Sequence, residues 1–160
     1  MAVIYDEISA DQFAAAQRQA ELLHLEVQSL KLENPPYDFD AAFHSLAERS
    51  PQMLLVQSSA FFTRYRSHIA ELATQQRLPT MFIFRSYAEA GGLFSYGVDP
   101  RALGRREAYY VSKILNGAKP ADVPVEQVES FELVINLKTA KAIGVDMSTS
   151  ILLRADEVIE

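Results

Sequence analysis

Cysteine is absent from the 160 residues, and so is tryptophan. Without a thiol the fold can rest on no disulfide and no thiolate-held metal, which leaves packing and hydrogen bonds as its supports. Cationic clusters are missing as well. Fifteen Lys and Arg are scattered among 21 Asp and Glu for a net charge of −6, so no basic stripe exists to displace counterions from a phosphate backbone, and a nucleic-acid partner is not expected. Long apolar runs are also lacking: the longest, such as residues 53–56 and 81–84, are strand-sized, far short of the roughly 20 residues that cross a bilayer. The chain opens Met1-Ala2-Val3-Ile4-Tyr5-Asp6, with no basic n-region, no apolar h-region and no lipid-attachment cysteine, so no export signal is expected within this numbering.

What remains is a chain with 49% apolar residues, enough for one sizeable core, so residues 1–160 are expected to form a single domain. Residues 3–5 read as a short buried strand. Ser9 with Gln12 three positions on suggests a capping box opening a helix to about residue 26, with Phe13, Ala16, Ala20 and Leu23 inward. Residues 27–32 offer a second strand, stopped by Asn34-Pro35-Pro36. A second helix from about residue 38 turns Phe39, Phe43 and Leu46 inward. Residues 53–56 are apolar throughout, as in a strand covered on both faces. The helix that follows presents Phe62, Tyr65, Ile69 and Leu72 on one face to about residue 76, and residues 80–84 make the next strand. This alternation predicts an α/β fold: a doubly wound, mostly parallel sheet with helices on both faces.

Beyond residue 84 the pattern predicts a helical turn over 86–90, ended by Gly91-Gly92, a brief strand over 93–96 and a helix over 100–116 with Gly117 past its end. That helix has two apolar stripes, Leu103, Tyr110 and Ile114 on one and Gly104, Ala108, Val111 and Leu115 on the other, so more than one face wants cover. A connector over 119–128 leads to a strand at 131–136, a short helix at 137–143 and a last helix near 148–154. No repeat or low-complexity tract is present.

The chemistry-bearing motifs are few. His24, His44 and His68 sit on separate segments with no two-ligand spacing, so no metal site is expected. Neither a nucleophile elbow nor a phosphate-binding glycine loop occurs, and Gly91-Gly92 reads as helix termination. Asp6-Glu7 at the end of the first strand resembles the acidic corner of a phospho-receiver domain, but the third strand ends in Gln57, which cannot accept phosphate. No nucleophile, metal cluster or paired acid and base points to an enzyme, and no cofactor is expected.

The rim where parallel strands end is the usual ligand position in open α/β sheets. Its members here are Tyr5, Asp6, Ser58, Ser59, Arg85, Tyr87, Tyr96 and Asp99. Hydroxyls and helix N-terminal amides hold carboxylates, Arg85 is able to clamp one, Asp99 to pair with an ammonium, and the tyrosines to stack on an apolar side chain. Each has a structural alternative: Ser59 and Asp99 are natural helix caps, Arg85 has Glu89 four residues on, and Tyr5 and Tyr87 fit a core edge.

Three segments resemble a known family: Gly91-Gly92-Leu93-Phe94-Ser95-Tyr96-Gly97; Gly117-Ala118-Lys119-Pro120-Ala121-Asp122-Val123-Pro124-Val125-Glu126; and Phe131-Glu132-Leu133-Val134-Ile135-Asn136-Leu137-Lys138-Thr139-Ala140 with the terminal Ala155-Asp156-Glu157-Val158-Ile159. They are similar to the C-terminal half of ABC-transporter substrate-binding proteins of the tryptophan and tyrosine type. The resemblance implies one lobe of a type I periplasmic-binding-protein-like fold, two such lobes closing on a small solute such as an amino acid, delivery to an ABC permease, and a periplasmic location. It further implies that residues 93–120 pack on the other lobe or on a dimer mate, so a homodimer through 93–117 is expected. The alternative is a stand-alone flavodoxin-like regulatory or interaction domain that dimerises.

Overall fold

A computed structural model describes residues 1–124 and 130–160; the end of the connector expected over 119–128, from residue 125, lies outside the described residues. One seven-stranded sheet runs β2-β1-β3-β4-β5-β6-β7. Its strands are β1 (Ala2–Tyr5), β2 (Gln28–Lys31), β3 (Leu54–Val56), β4 (Thr80–Phe82), β5 (Phe94–Val98), β6 (Phe131–Asn136) and β7 (Glu157–Ile159). Strands β1 to β5 are parallel, β6 is antiparallel to β5, and β7 is parallel to β6. Helices α1 (Ala10–Leu22), α2 (Phe39–Arg49), α3 (Ala60–Arg64), α4 (Arg66–Gln75) and α5 (Arg85–Glu89) connect the first five strands. After β5 come α6 (Pro100–Leu115), α7 (Leu137–Ile143) and α8 (Thr149–Leu152).

The core follows from strand alternation. The register places Ile4, Val56 and Phe82 on one sheet face, and there they meet Phe39, Phe43 and Leu46 of α2 and Phe62, Ile69 and Leu72 of α3 and α4. Phe43, Phe62 and Phe82 are fully buried, and burying each such ring contributes about 1.5–3 kcal/mol. A second cluster joins Leu93 to Ala140 and Ile143 of α7. Asn136 fixes α7 by accepting from the Thr139 amide at 3.0 Å while its own Nδ2 donates to the Ala88 carbonyl at 2.9 Å.

Several local expectations are corrected. Helix α1 stops at Leu22 rather than near residue 26: His24 takes a left-handed φ of 56°, the Leu25 amide closes back on the Ala20 carbonyl, and Leu23 is exposed rather than inward. No capping box forms, because the Ser9 hydroxyl is engaged by Asp6 and the Gln12 side chain turns to Ser58. The helix expected through residue 76 breaks in two at Tyr65, which stands partly exposed rather than inward. Strand β4 ends at Phe82, because the chain turns into α5 two residues later; β5 runs on to Val98. The residues of β7 were expected to match the family's ending but not to form a strand; they pair with β6 in register Val134↔Glu157.

Candidate functional site: the rim at the switch point

Crossovers leave β1 toward β2 and β3 toward β4 in opposite directions along the sheet, so the carboxyl ends of β1 and β3 flank a gap that no connection crosses. Asp6 follows β1 and Ser59 follows β3. The two meet in that gap.

Asp6 is fully buried, and hydroxyl and amide donors surround its carboxylate. Oδ1 accepts from the Ser9 amide at 3.0 Å and the Ser9 hydroxyl at 2.7 Å. Oδ2 accepts from the Tyr37 hydroxyl at 3.2 Å and, in a very short contact, from the Ser59 hydroxyl. Burial alone pushes the Asp6 carboxyl up, but the hydrogen bonds from Ser59, Ser9 and Tyr37 together outweigh it and hold the group below the usual carboxylate range. The same proximity raises the Tyr37 phenol, through burial first and then the Asp6 charge. Asp6 thus organises the loops after β1, β2 and β3, and Ser59 also accepts the Phe61 amide as the α3 cap.

Gln12 completes the join. Its Oε1 accepts the Ser58 amide at 2.9 Å and its Nε2 donates to the Ser58 carbonyl at 3.3 Å, while Gln57 Nε2 donates to the Gln12 carbonyl at 3.4 Å. Tyr5 stacks on Phe13 with centroids 4.0 Å apart. Tyr37 meets Phe61 and Phe62 edge-on, so the rim is walled by aromatic rings.

A second group lies beyond β4. Arg85 donates from Nε to Glu132 at 3.3 Å and from Nη2 to Glu157 in a very short contact, with Glu89 at 3.6 Å from Nη1. Burial pulls the Arg85 guanidinium down, but Glu132, Glu157 and Glu89 outweigh it and raise its affinity for the proton. Arg85 therefore ties α5 to β6 and β7. It also lines an open cleft of about 440 Å³ with Thr63, Phe84, Ser86, Glu89, Asp99 and Arg101. Asp99 caps α6 by accepting from the Arg101 amide at 2.8 Å, and its other oxygen faces Arg105 at 3.6 Å.

The eight rim residues therefore fall into separate places. Tyr5, Asp6, Ser58 and Ser59 gather at the switch point, and Arg85 and Asp99 share the cleft. Tyr96 stacks on Phe131 with centroids 5.7 Å apart, half exposed. Tyr87 lies in the core, stacked on Phe82 and donating to the Thr63 hydroxyl at 3.3 Å. Gln12, Tyr37, Glu132 and Glu157 escaped sequence reasoning. A glutamate inside the apolar strand 131–136 was the one visible signal.

The model for ABC transporter substrate binding proteins matches residues 6–159. This chain belongs to that family. No curated protein matches it significantly. Among solved structures, the ABC domain in complex with L-Trp from Streptococcus pneumonia superposes with a TM-score of 0.87 at 23% identity, covering 99% of this chain and 54% of that one. A conserved domain protein from Vibrio cholerae O1 biovar El Tor also gives 0.87, at 22% identity over 98% of this chain and 53% of its own. The ligand-free, open structure of a substrate binding protein with adhesive properties from Clostridium difficile gives 0.74 at 20% identity, covering 99% and 53%. At these identities the likeness establishes the α/β, periplasmic-binding-protein-like fold. The chain spans about half the length of the solved structures it matches. The family binds substrates as a component of transport, and among the described residues no helix is long and apolar enough to cross a membrane.

Proposed function

We propose that this chain is one lobe of the solute receptor of an ABC-type uptake system. Its solute is a small organic molecule such as an amino acid, held without catalysis between the strand-end rim and an opposing surface and handed to a membrane permease outside the cytoplasm. The observation that carries this reading is the Asp6-centred knot at the switch point, in a chain whose family match runs from residue 6 to 159. The knot is already saturated by its own hydroxyls. We infer that Asp6 shapes the rim, and that the groups offered to a solute are the Ser59 and Ala60 amides at the start of α3, the Tyr5 ring, and in the cleft the Ser86 hydroxyl, the Arg101 guanidinium and the Asp99 carboxylate that Arg105 also approaches.

An opposing surface is required because this rim is open. A cleft of about 440 Å³ is large enough for an amino acid, but solute pockets enclose most of their ligand. We propose that the second jaw is a lobe beyond this chain or a mate, reached through residues 93–120. The stand-alone regulatory reading is not favoured, since the family match covers nearly the whole chain.

Thermal-shift screening of amino acids and aromatic acids tests the proposal, on this chain and on a version joined to an opposing lobe. A ligand raises stability by RT ln(1 + [L]/Kd), so a hundredfold excess over Kd is worth about 2.7 kcal/mol. Stabilisation in the two-lobe version, weakened by Arg101→Glu or Asp99→Ala, is the expected result. A flat response from both versions to every solute would count against it.

A further inference from the structure

Past Val56 the chain has left the sheet, so the main-chain N–H and C=O of Ser58 have no strand to pair with, and half-buried main-chain groups rarely go without partners. Gln12 supplies both. Its amide makes a rung out of a side chain: Oε1 accepts the Ser58 amide at 2.9 Å and Nε2 donates to the Ser58 carbonyl at 3.3 Å. Gln57, 5% exposed, returns the reach by donating from its own Nε2 to the Gln12 carbonyl at 3.4 Å. Two glutamines 45 positions apart therefore lock the first turn of α1 to the end of β3.

The next residue along α1 holds the other strand end. Phe13 lies flat against Tyr5, with ring centroids 4.0 Å apart and planes 5° from parallel. Adjacent residues of one helix thus grip both walls of the switch point, the Tyr5 end of β1 and the loop after β3. The start of that helix is itself held by Asp6, whose carboxylate accepts the Ser9 amide just ahead of α1 and the Ser59 hydroxyl across the gap.

We propose that Gln12 is a positioning residue for solute binding: it sets the loop after β3 at a fixed separation from the Tyr5 ring, so that a solute meets two walls already in place. A loop fixed beforehand adds no ordering cost to the binding step. The inference rests on reading the chain as one jaw of a solute receptor, and names the residue that preorganises the rim of that jaw.

The bridge needs one acceptor and one donor on the same side chain, which makes Gln12→Glu a sharp probe. A carboxylate offers acceptors alone, so it keeps the bond from the Ser58 amide but sets its second oxygen against the Ser58 carbonyl. Protonation restores the donor. A glutamate titrates ordinarily near about pH 4.3, and the facing carbonyl favours its neutral form and raises that value. The charged groups on the elements that meet here are Asp6 and Glu7 after β1, Glu7 being paired with Lys31, and Asp11 of α1; Asp6 and Asp11 push the same way. The bridge in this variant should therefore be present at low pH and lost as pH rises.

Amide hydrogen exchange and titration with the proteinogenic L-amino acids, one at a time, test the inference on this chain and on a version joined to an opposing lobe. In Gln12→Ala the Ser58 amide should exchange about tenfold faster and the Kd of any amino acid that binds the parent should rise about tenfold, the worth of one or two hydrogen bonds. Alanine keeps α1, so circular dichroism should match the parent. Gln12→Glu should bind about tenfold more weakly than the parent near pH 8 and return to within about twofold of it near pH 5. A merely structural role would lower the melting temperature without that return of affinity in folded protein. Equal protection of Ser58 in Gln12→Ala, a Kd indifferent to both substitutions, or a Gln12→Glu variant equally weak at both pH values would overturn the inference and leave the receptor reading standing. A parent that binds no amino acid in either version would overturn both.

Discussion

At Asp6 a fully buried carboxylate is held by four donors from three loops, and its energetics are those of a structural knot. Its folded pKa lies below the unfolded value, so its contribution to stability is complete above the ordinary aspartate range and is lost as pH falls through the folded pKa. Chemical denaturation between about pH 5 and 2 should therefore show a drop in stability that Asp6→Asn reduces. Ser59→Ala leaves a buried charged acceptor short of one donor and should cost about 1–3 kcal/mol in urea denaturation. Arg85→Gln, by removing the counter-ion of the largely buried Glu132, should cost about 3 kcal/mol and loosen β7, which hydrogen exchange of its amides would register. In the sequence, Asp6 and Ser59 stood out as strand-end residues, but nothing indicated that they would satisfy each other. Their contact spans 53 positions, and spacing along a chain does not encode a meeting of that range. Arg85 was paired in expectation with Glu89, four residues away, which it does approach; Glu132 and Glu157 belong to strands whose neighbours are set by topology alone.

Elements tell a similar story. The parallel strands β1, β3 and β4 were legible because both faces are covered and their residues are apolar almost without a break. Strand β7 was not, since an edge strand of three residues with Glu157 leading it has no periodic signal. The break between α3 and α4 was equally hidden: Tyr65 fits the apolar face of one continuous helix and instead sits at the turn between two. Gly97 explains part of the 91–97 segment. A Cβ built there would lie 2.0 Å from the Ile83 carbonyl oxygen, so β5 and the chain leaving β4 approach as closely as they do only because the side chain is a hydrogen. Gly97→Ala should cost at least about 3 kcal/mol, or prevent folding, with the melting temperature as the readout. Gly104→Ala, where nothing lies within 4 Å, should instead stabilise α6 by about 1 kcal/mol through helix propensity.

For the whole molecule, the parallel, doubly wound character of the sheet could be read from alternation and the family from its three segments, while the strand order could not, since alternation does not say on which side of a strand the next one pairs. Helix α6 showed in the sequence only as an oddity, a helix with two apolar stripes. Its exposure gives that oddity a physical meaning, since a lobe that folds around its own core leaves α6 outside it. On the proposed function, a solute is gripped at the rim beside the switch point and the cleft. Amide chemical-shift mapping with L-amino acids at millimolar concentration tests it most directly, on this chain and on a version joined to an opposing lobe. The Ser58, Ser59, Phe61, Ser86 and Arg101 amides should move together. Shifts confined to the opposite edge, in the groove between Thr74 of α4 and Lys138 of α7, would contradict it.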